Sequence, residues 1–170
     1  MKSSSRLVTN IFLVMALACF TCAAQAEKIE QTSVKTNQRS VAKSTVTLSD
    51  VPNHELFQET LISNIKYSNP DFKVNEEWVY SQTDQVDGSG THRCYWIDFH
   101  EGGEQTYGTC EGAHRTVVKD DGSWQSTWEG KYRYVGGTGK YKNIKGTGTY
   151  KGRVGSKEAF IEEAREQVEY

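Results

Sequence analysis

Glu111 and Arg115 stand out as charges with chemical potential, because the residues around them are aromatic or small. A guanidinium among aromatic rings stacks on them and still presents donors to a carboxylate or phenolate. In this reading Arg115 anchors a ligand and Glu111 balances its charge. Tyr132 and Tyr134 offer hydroxyl donors, and Tyr80, Tyr95 and Trp128 complete an aromatic wall. Two plainer arrangements stay open: both charges at a mouth where they reach water, or a structural ion pair.

Other residues yield less. His92, His100 and His114 fall on the polar side of the pattern or in a turn, and Asp98 near His100 has no accompanying nucleophile. No G-x-S-x-G setting is present. The histidines show no H-x3-H spacing, so no metal is expected, and no cofactor motif occurs. The glycines Gly136, Gly137 and Gly139 lack the Lys-Ser/Thr pair of a phosphate loop and precede β-type sequence, so a structural turn is expected. Residues 131–153 carry seven basic side chains and four interleaved tyrosines. Alternation along strands explains this strip as one solvated face, with glycan or lipid-phosphate binding as a third functional option behind the two set out below.

The elements that would position these groups are strands. From 74 to 154 Trp, Tyr, Val, Thr and Gly dominate, cut by turn clusters at 87–90, 101–103 and 120–123. Symmetric closure of the first turn sets Trp78 opposite Phe99, Tyr80 opposite Ile97 and Gln82 opposite Tyr95. The second sets Cys94 opposite Cys110 and Trp96 over Gly108. The third sets Arg115 opposite Trp128, Glu111 opposite Tyr132 and Thr109 opposite Tyr134. One face then holds Trp78, Tyr80, Tyr95, Ile97, Phe99, Tyr107, Val117, Trp124, Trp128, Tyr132 and Tyr134. The other holds the cysteines, Asp98, His92, His114, Glu129, Lys131 and Arg133. A single bulge would invert the parity beyond it. Residues 54–66 suit either helix or strand. Residues 157–170 lean to strand, since Phe160, Ala164, Val168 and Tyr170 share one parity.

The chain has 170 residues, 36% of them hydrophobic and 11% aromatic, with 2 Pro and a net charge of -2. That excludes disorder and gives no pull toward nucleic acid. Lys2, Arg6, the apolar run 7–20 and Ala24-Gln25-Ala26 read as a signal peptide cut before Glu27, so no stable membrane insertion is expected afterwards. Residues 27–49 read as a flexible leader and 50–170 as a single all-β domain. Cys19 and Cys22 leave with the signal, and Cys94 and Cys110 remain to form one disulfide in a periplasmic or secreted protein.

The stretch 135–146, VGGTGKYKNIKG, resembles the V-x-G-G-T-G-x-F-x-x-A-x-G signature of dirigent proteins, shared in looser form by allene oxide cyclases. Tyr141 stands for the aromatic and Ile144 for the small apolar residue. The segment 137–152 is also similar to the ending of a group of small secreted bacterial proteins. The resemblance implies an eight-stranded antiparallel barrel, lipocalin-like in shape. It transfers no active-site residue, because no matching positions are found. The expected function is therefore non-catalytic binding of a small apolar or aromatic ligand bearing a hydrogen-bonding or anionic group. A cofactor-free isomerase or cyclase is the alternative, and a homo-oligomer is compatible with either.

Overall fold

The computed structural model describes residues 27–170. Residues 1–26, which the sequence reading takes as a signal peptide, lie outside the described residues. Eight strands follow in chain order: β1 Ile29–Thr47, β2 His54–Tyr67, β3 Val74–Val86, β4 Ser89–His100, β5 Gln105–Val118, β6 Trp124–Gly137, β7 Lys145–Gly155 and β8 Glu158–Glu169. Each pairs antiparallel with its neighbour, and β1 pairs with β8, so the sheet closes into a barrel. The segment 27–49, expected as a flexible leader, is instead the closing strand β1. Its Ser, Thr, Lys and Gln content hides a strand whose apolar partners lie elsewhere. Both ambiguous segments, 54–66 and 157–170, are strands.

Turn chemistry fixes the registers. Asp87 and Gly88 both adopt positive φ, 51° and 73°, the two-residue turn that matches strand twist. Trp78 therefore faces Ile97 and Tyr80 faces Tyr95, two residues from the expected pairing and on the same face. The second hairpin pairs Cys94 with Cys110 as expected. The third loop has five residues, 119–123, rather than four. Gly122 at φ 75° and the Lys119 N–H to Ser123 carbonyl bond of 2.8 Å close it. Arg115 consequently pairs with Thr127, Glu111 with Lys131 and Thr109 with Arg133.

That one-residue difference decides the faces, because strand side chains alternate. In β3–β5 the interior takes Val79, His92, Cys94, Trp96, Asp98, Cys110 and His114. Trp78, Tyr80, Tyr95, Ile97, Phe99 and Tyr107 lie on the outer wall, so the face assignment of these strands is inverted. In β6 Trp128, Tyr132 and Tyr134 do point inward. Several inward positions of β5–β7 are glycine: Gly108 faces the Trp96 ring, Gly148 the Tyr132 ring and Gly152 the Trp128 ring. Small-against-large pairing of this kind is what a narrow barrel interior requires.

One end of the barrel is plugged. The 68–73 turn brings Phe72 under the strands, and a single 3-10 turn at Gly139–Tyr141 brings Tyr141. Both are 1% exposed. Phe72 packs edge-on against Tyr67, His100, Tyr134 and Tyr141. Ile144 and Val168 fill the remainder. The glycine stretch 136–139 therefore serves this floor. Gly139 has φ 55°, and a Cβ on Gly137 would come within 2.6 Å of the Tyr141 carbonyl oxygen.

Candidate functional site

Above the floor the barrel encloses a cavity of about 320 Å³. Its apolar wall comes from Phe57, Leu61 and Ile65 of β2, Val79 of β3, Trp96 of β4, Trp128 of β6, Val154 of β7 and Phe160 of β8. Phe57, Thr116, Ser126, Val154 and Phe160, near the end opposite the floor, are only half-buried. The β1–β8 ladder runs from Ile29↔Val168 to Lys35↔Glu162. Beyond Lys35, among the described residues, β1 pairs with β2 alone after a bulge at Asn37, whose φ is 53°. The wall is thus slit between β1 and β8, with Gln38 and Phe160 on the chamber side.

The foot of that slit holds a buried charge cluster. The Lys35 ammonium sits 2.8 Å from Glu77 and 2.9 Å from Glu162. Burial alone would lower its pKa, but the two carboxylates outweigh it, and the ammonium is held above its ordinary range. Burial pushes the Glu77 carboxyl up, with Lys35 pulling the other way. Glu162 also accepts the Trp128 indole N–H at 2.6 Å. Glu77 keeps one oxygen, Oε2, without a partner.

A second cluster lies deeper. Glu166 accepts hydrogen bonds from Gln31, Tyr132 and Tyr134, the last at 3.0 Å. Tyr67 donates to Asp98 at 2.9 Å. Burial first, and the charge of Glu77 second, lift the Asp98 carboxyl well above the usual range. Burial likewise raises Glu166. Toward the mouth, His92 Nε2 and the Tyr150 hydroxyl are hydrogen-bonded at 2.6 Å. His114 donates from Nε2 to Gln85 at 3.0 Å. Burial depresses both imidazoles, so they are neutral near pH 7.

Of the residues expected to line a pocket, Trp128 and Tyr132 do so, and Tyr134 sits just beneath it at 6% exposure. The Tyr132 and Tyr134 hydroxyls are already directed at Glu166. Arg115 and Glu111 are corrected: both are exposed on the outer wall, and Glu111 lies 3.6 Å from Lys131. The five-residue loop is the reason. Tyr80 and Tyr95 are also outside, at 42% and 39% exposure. His92, His114 and Asp98, assigned to the outer face, are inside. His100, read as a surface residue, is 4% exposed in the floor, and burial lowers its pKa to about 4. Lys35, Glu59, Glu77, Glu162 and Glu166 were not singled out in the sequence. For β8 a signal existed: Glu162 and Glu166 share the parity of Phe160, Ala164 and Val168.

Cys94 and Cys110 are joined, with Cα atoms 4.9 Å apart, and the bridge faces the chamber. The basic strip is interleaved with acids from neighbouring strands. Lys131 meets Glu111, Lys151 meets Glu163 at 3.8 Å and Arg153 meets Glu158. Among the described residues no three His, Cys, Asp or Glu side chains converge as metal ligands, and no helix is long and apolar enough to cross a membrane. No protein-family model matches the chain, and neither a curated protein nor a solved structure matches it.

Proposed function

We propose that the protein is a non-catalytic binding barrel that takes a small, largely apolar ligand into the chamber inside the barrel. One observation carries the reading. A cavity of about 320 Å³ combines aromatic and aliphatic walls with one polar side, is sealed by an aromatic floor, and is reached through a half-buried mouth. Small-molecule sites have this make-up, at volumes of ~300–1,000 Å³. The barrel belongs in this proposal to the allene oxide cyclase and dirigent type, on the strength of residues 135–146. The protein works outside the cytoplasm, as the Cys94–Cys110 bridge and the leading segment 1–26 favour.

The test uses a neutral apolar probe, N-phenyl-1-naphthylamine, whose emission rises on leaving water. Saturable binding with one site per chain, competed by other small aromatic compounds, is expected. Ala164→Trp places an indole on the chamber side of β8 and should abolish it while melting stays cooperative. Absence of saturable binding to the wild-type chain overturns the reading.

A further inference from the structure

The chamber's polar side has a definite sign. The charged side chains that line it are Lys35, Glu59, Glu77 and Glu162, one cation against three carboxylates. The lone cation is committed twice, to Glu77 and to Glu162. The two imidazoles nearby, His92 and His114, are neutral and add no compensating charge.

Hydrogen-bonding capacity points the same way. The Trp128 indole N–H donates to Glu162 and the Tyr132 hydroxyl to Glu166. The Tyr150 hydroxyl is engaged with His92. These three aromatic donors are thus aimed at protein acceptors. Among the buried groups that face the chamber, an acceptor is left without a partner: Oε2 of Glu77, a residue 2% exposed. A buried carboxylate oxygen without a partner costs free energy that a donor from a ligand recovers.

An anionic ligand would meet three carboxylates here and find the one ammonium already shared. A protonated amine would be attracted by the net negative wall and would supply the missing donor. We propose that the ligand is a small amine, its aromatic or aliphatic body against Phe57, Leu61, Trp96 and Trp128 and its ammonium on Glu77 Oε2. This rests on the binding-barrel reading and replaces the anionic head group expected from sequence.

Three probes of similar size test it by calorimetry at pH 7: 2-(1-naphthyl)ethylamine, 2-(1-naphthyl)ethanol and 1-naphthaleneacetate. The amine should bind about tenfold or more tighter than the carboxylate, as a charge-assisted hydrogen bond implies. Glu77→Gln should weaken the amine severalfold and leave the alcohol nearly unchanged. Because Glu77 also holds Lys35, Glu59→Gln serves as a second variant: Glu59 is half-buried, and its loss should reduce amine affinity through charge alone. Equal or tighter binding of the carboxylate, or amine affinity unmoved in both variants, overturns the proposal. Binding of the alcohol without the amine refutes the amine and spares the barrel reading. Failure of all three probes, together with N-phenyl-1-naphthylamine, removes both.

Discussion

Replacing Lys35 by Met is the most searching perturbation of the interior. It keeps the bulk of the stem and deletes the one cation among the chamber's carboxylates. The Glu77 and Glu162 side chains are only 3% and 9% exposed, so both lose their counter-ion in a site water barely reaches. Removing one partner of a buried ion pair costs ~3–5 kcal/mol. Protonation sets a ceiling, because an orphaned carboxyl can take up a proton instead. From an ordinary pKa of 4.5, that uptake costs about 5 kcal/mol at pH 8 and about 1 kcal/mol at pH 5. The sign follows from linkage. An acid whose pKa is raised in the folded state holds a proton there that the unfolded chain releases, so stability falls as pH rises. Urea melts at pH 5 and pH 8 should therefore show a deficit of ~3–5 kcal/mol at pH 8, shrinking by ~2 kcal/mol or more at pH 5. Adding Glu77→Met to Lys35→Met should recover part of the loss, since it removes one stranded charge. A deficit below ~1 kcal/mol at pH 8, or one independent of pH, would refute the account of this cluster.

The other expectations are simpler. Trp96→Ala should cost ~3–5 kcal/mol and more than Trp128→Ala, because Trp96 is 5% exposed and in the core while Trp128 is half-buried at the chamber; urea melts decide the order. Thiol titration of the denatured, unreduced chain from residue 27 onward should find no free thiol, and replacing Cys94 and Cys110 together by Ala should cost up to ~3 kcal/mol for a loop of sequence separation 16. Arg115→Met should change stability by under ~0.5 kcal/mol and leave probe affinity alone, as its exposed place on the outer wall requires. Gly137→Val should destabilise the fold, with its new Cβ driven into the Tyr141 and Gln105 carbonyls, and calorimetry should detect no nucleotide binding to the wild-type chain.

Local signals in the sequence carry strands β3 to β8, the disulfide and the approximate turn positions, because each rests on a few adjacent residues. The cysteine pairing followed from one symmetric turn, and β8 from its shared parity. The faces were lost through two effects. Loop 119–123 has one residue more than its Asp-Asp-Gly-Ser core suggests, and one residue inverts a strand. Large aromatics read by hydropathy as inward-facing, and in β3–β5 that favours the wrong face. An eight-stranded barrel has too little interior to hold them, so Trp78, Tyr80, Tyr95 and Phe99 lie outside while Gly108, Cys110 and Gly112 lie within. β1 was missed for a related reason. Gln31, Ser33 and Lys35 face inward against Glu166 and the Glu77–Glu162 pair, and polar residues serving a polar interior leave no hydrophobic alternation to detect.

The same glycines explain why a chamber survives at all. Eight strands give an interior that side chains can fill completely. Here Trp128 lies over Gly152, Tyr132 over Gly148, and the Tyr150 hydroxyl over Gly112 and Gly130. Each ring occupies the space that a neighbouring strand's Cβ would take, so it rests against the wall instead of standing across the barrel. At the floor, around Trp96, Tyr134 and Phe72, further rings fill the centre, meet edge to face, and make the interior solid. Above that level the rings are drawn back. Their polar ends are turned to Glu162, Glu166 and His92, which holds them there. The cavity is thus built from paired choices, a glycine beneath each ring and an acceptor at its tip. Substituting the glycine or the acceptor should let the ring swing inward and close the chamber without unfolding the barrel.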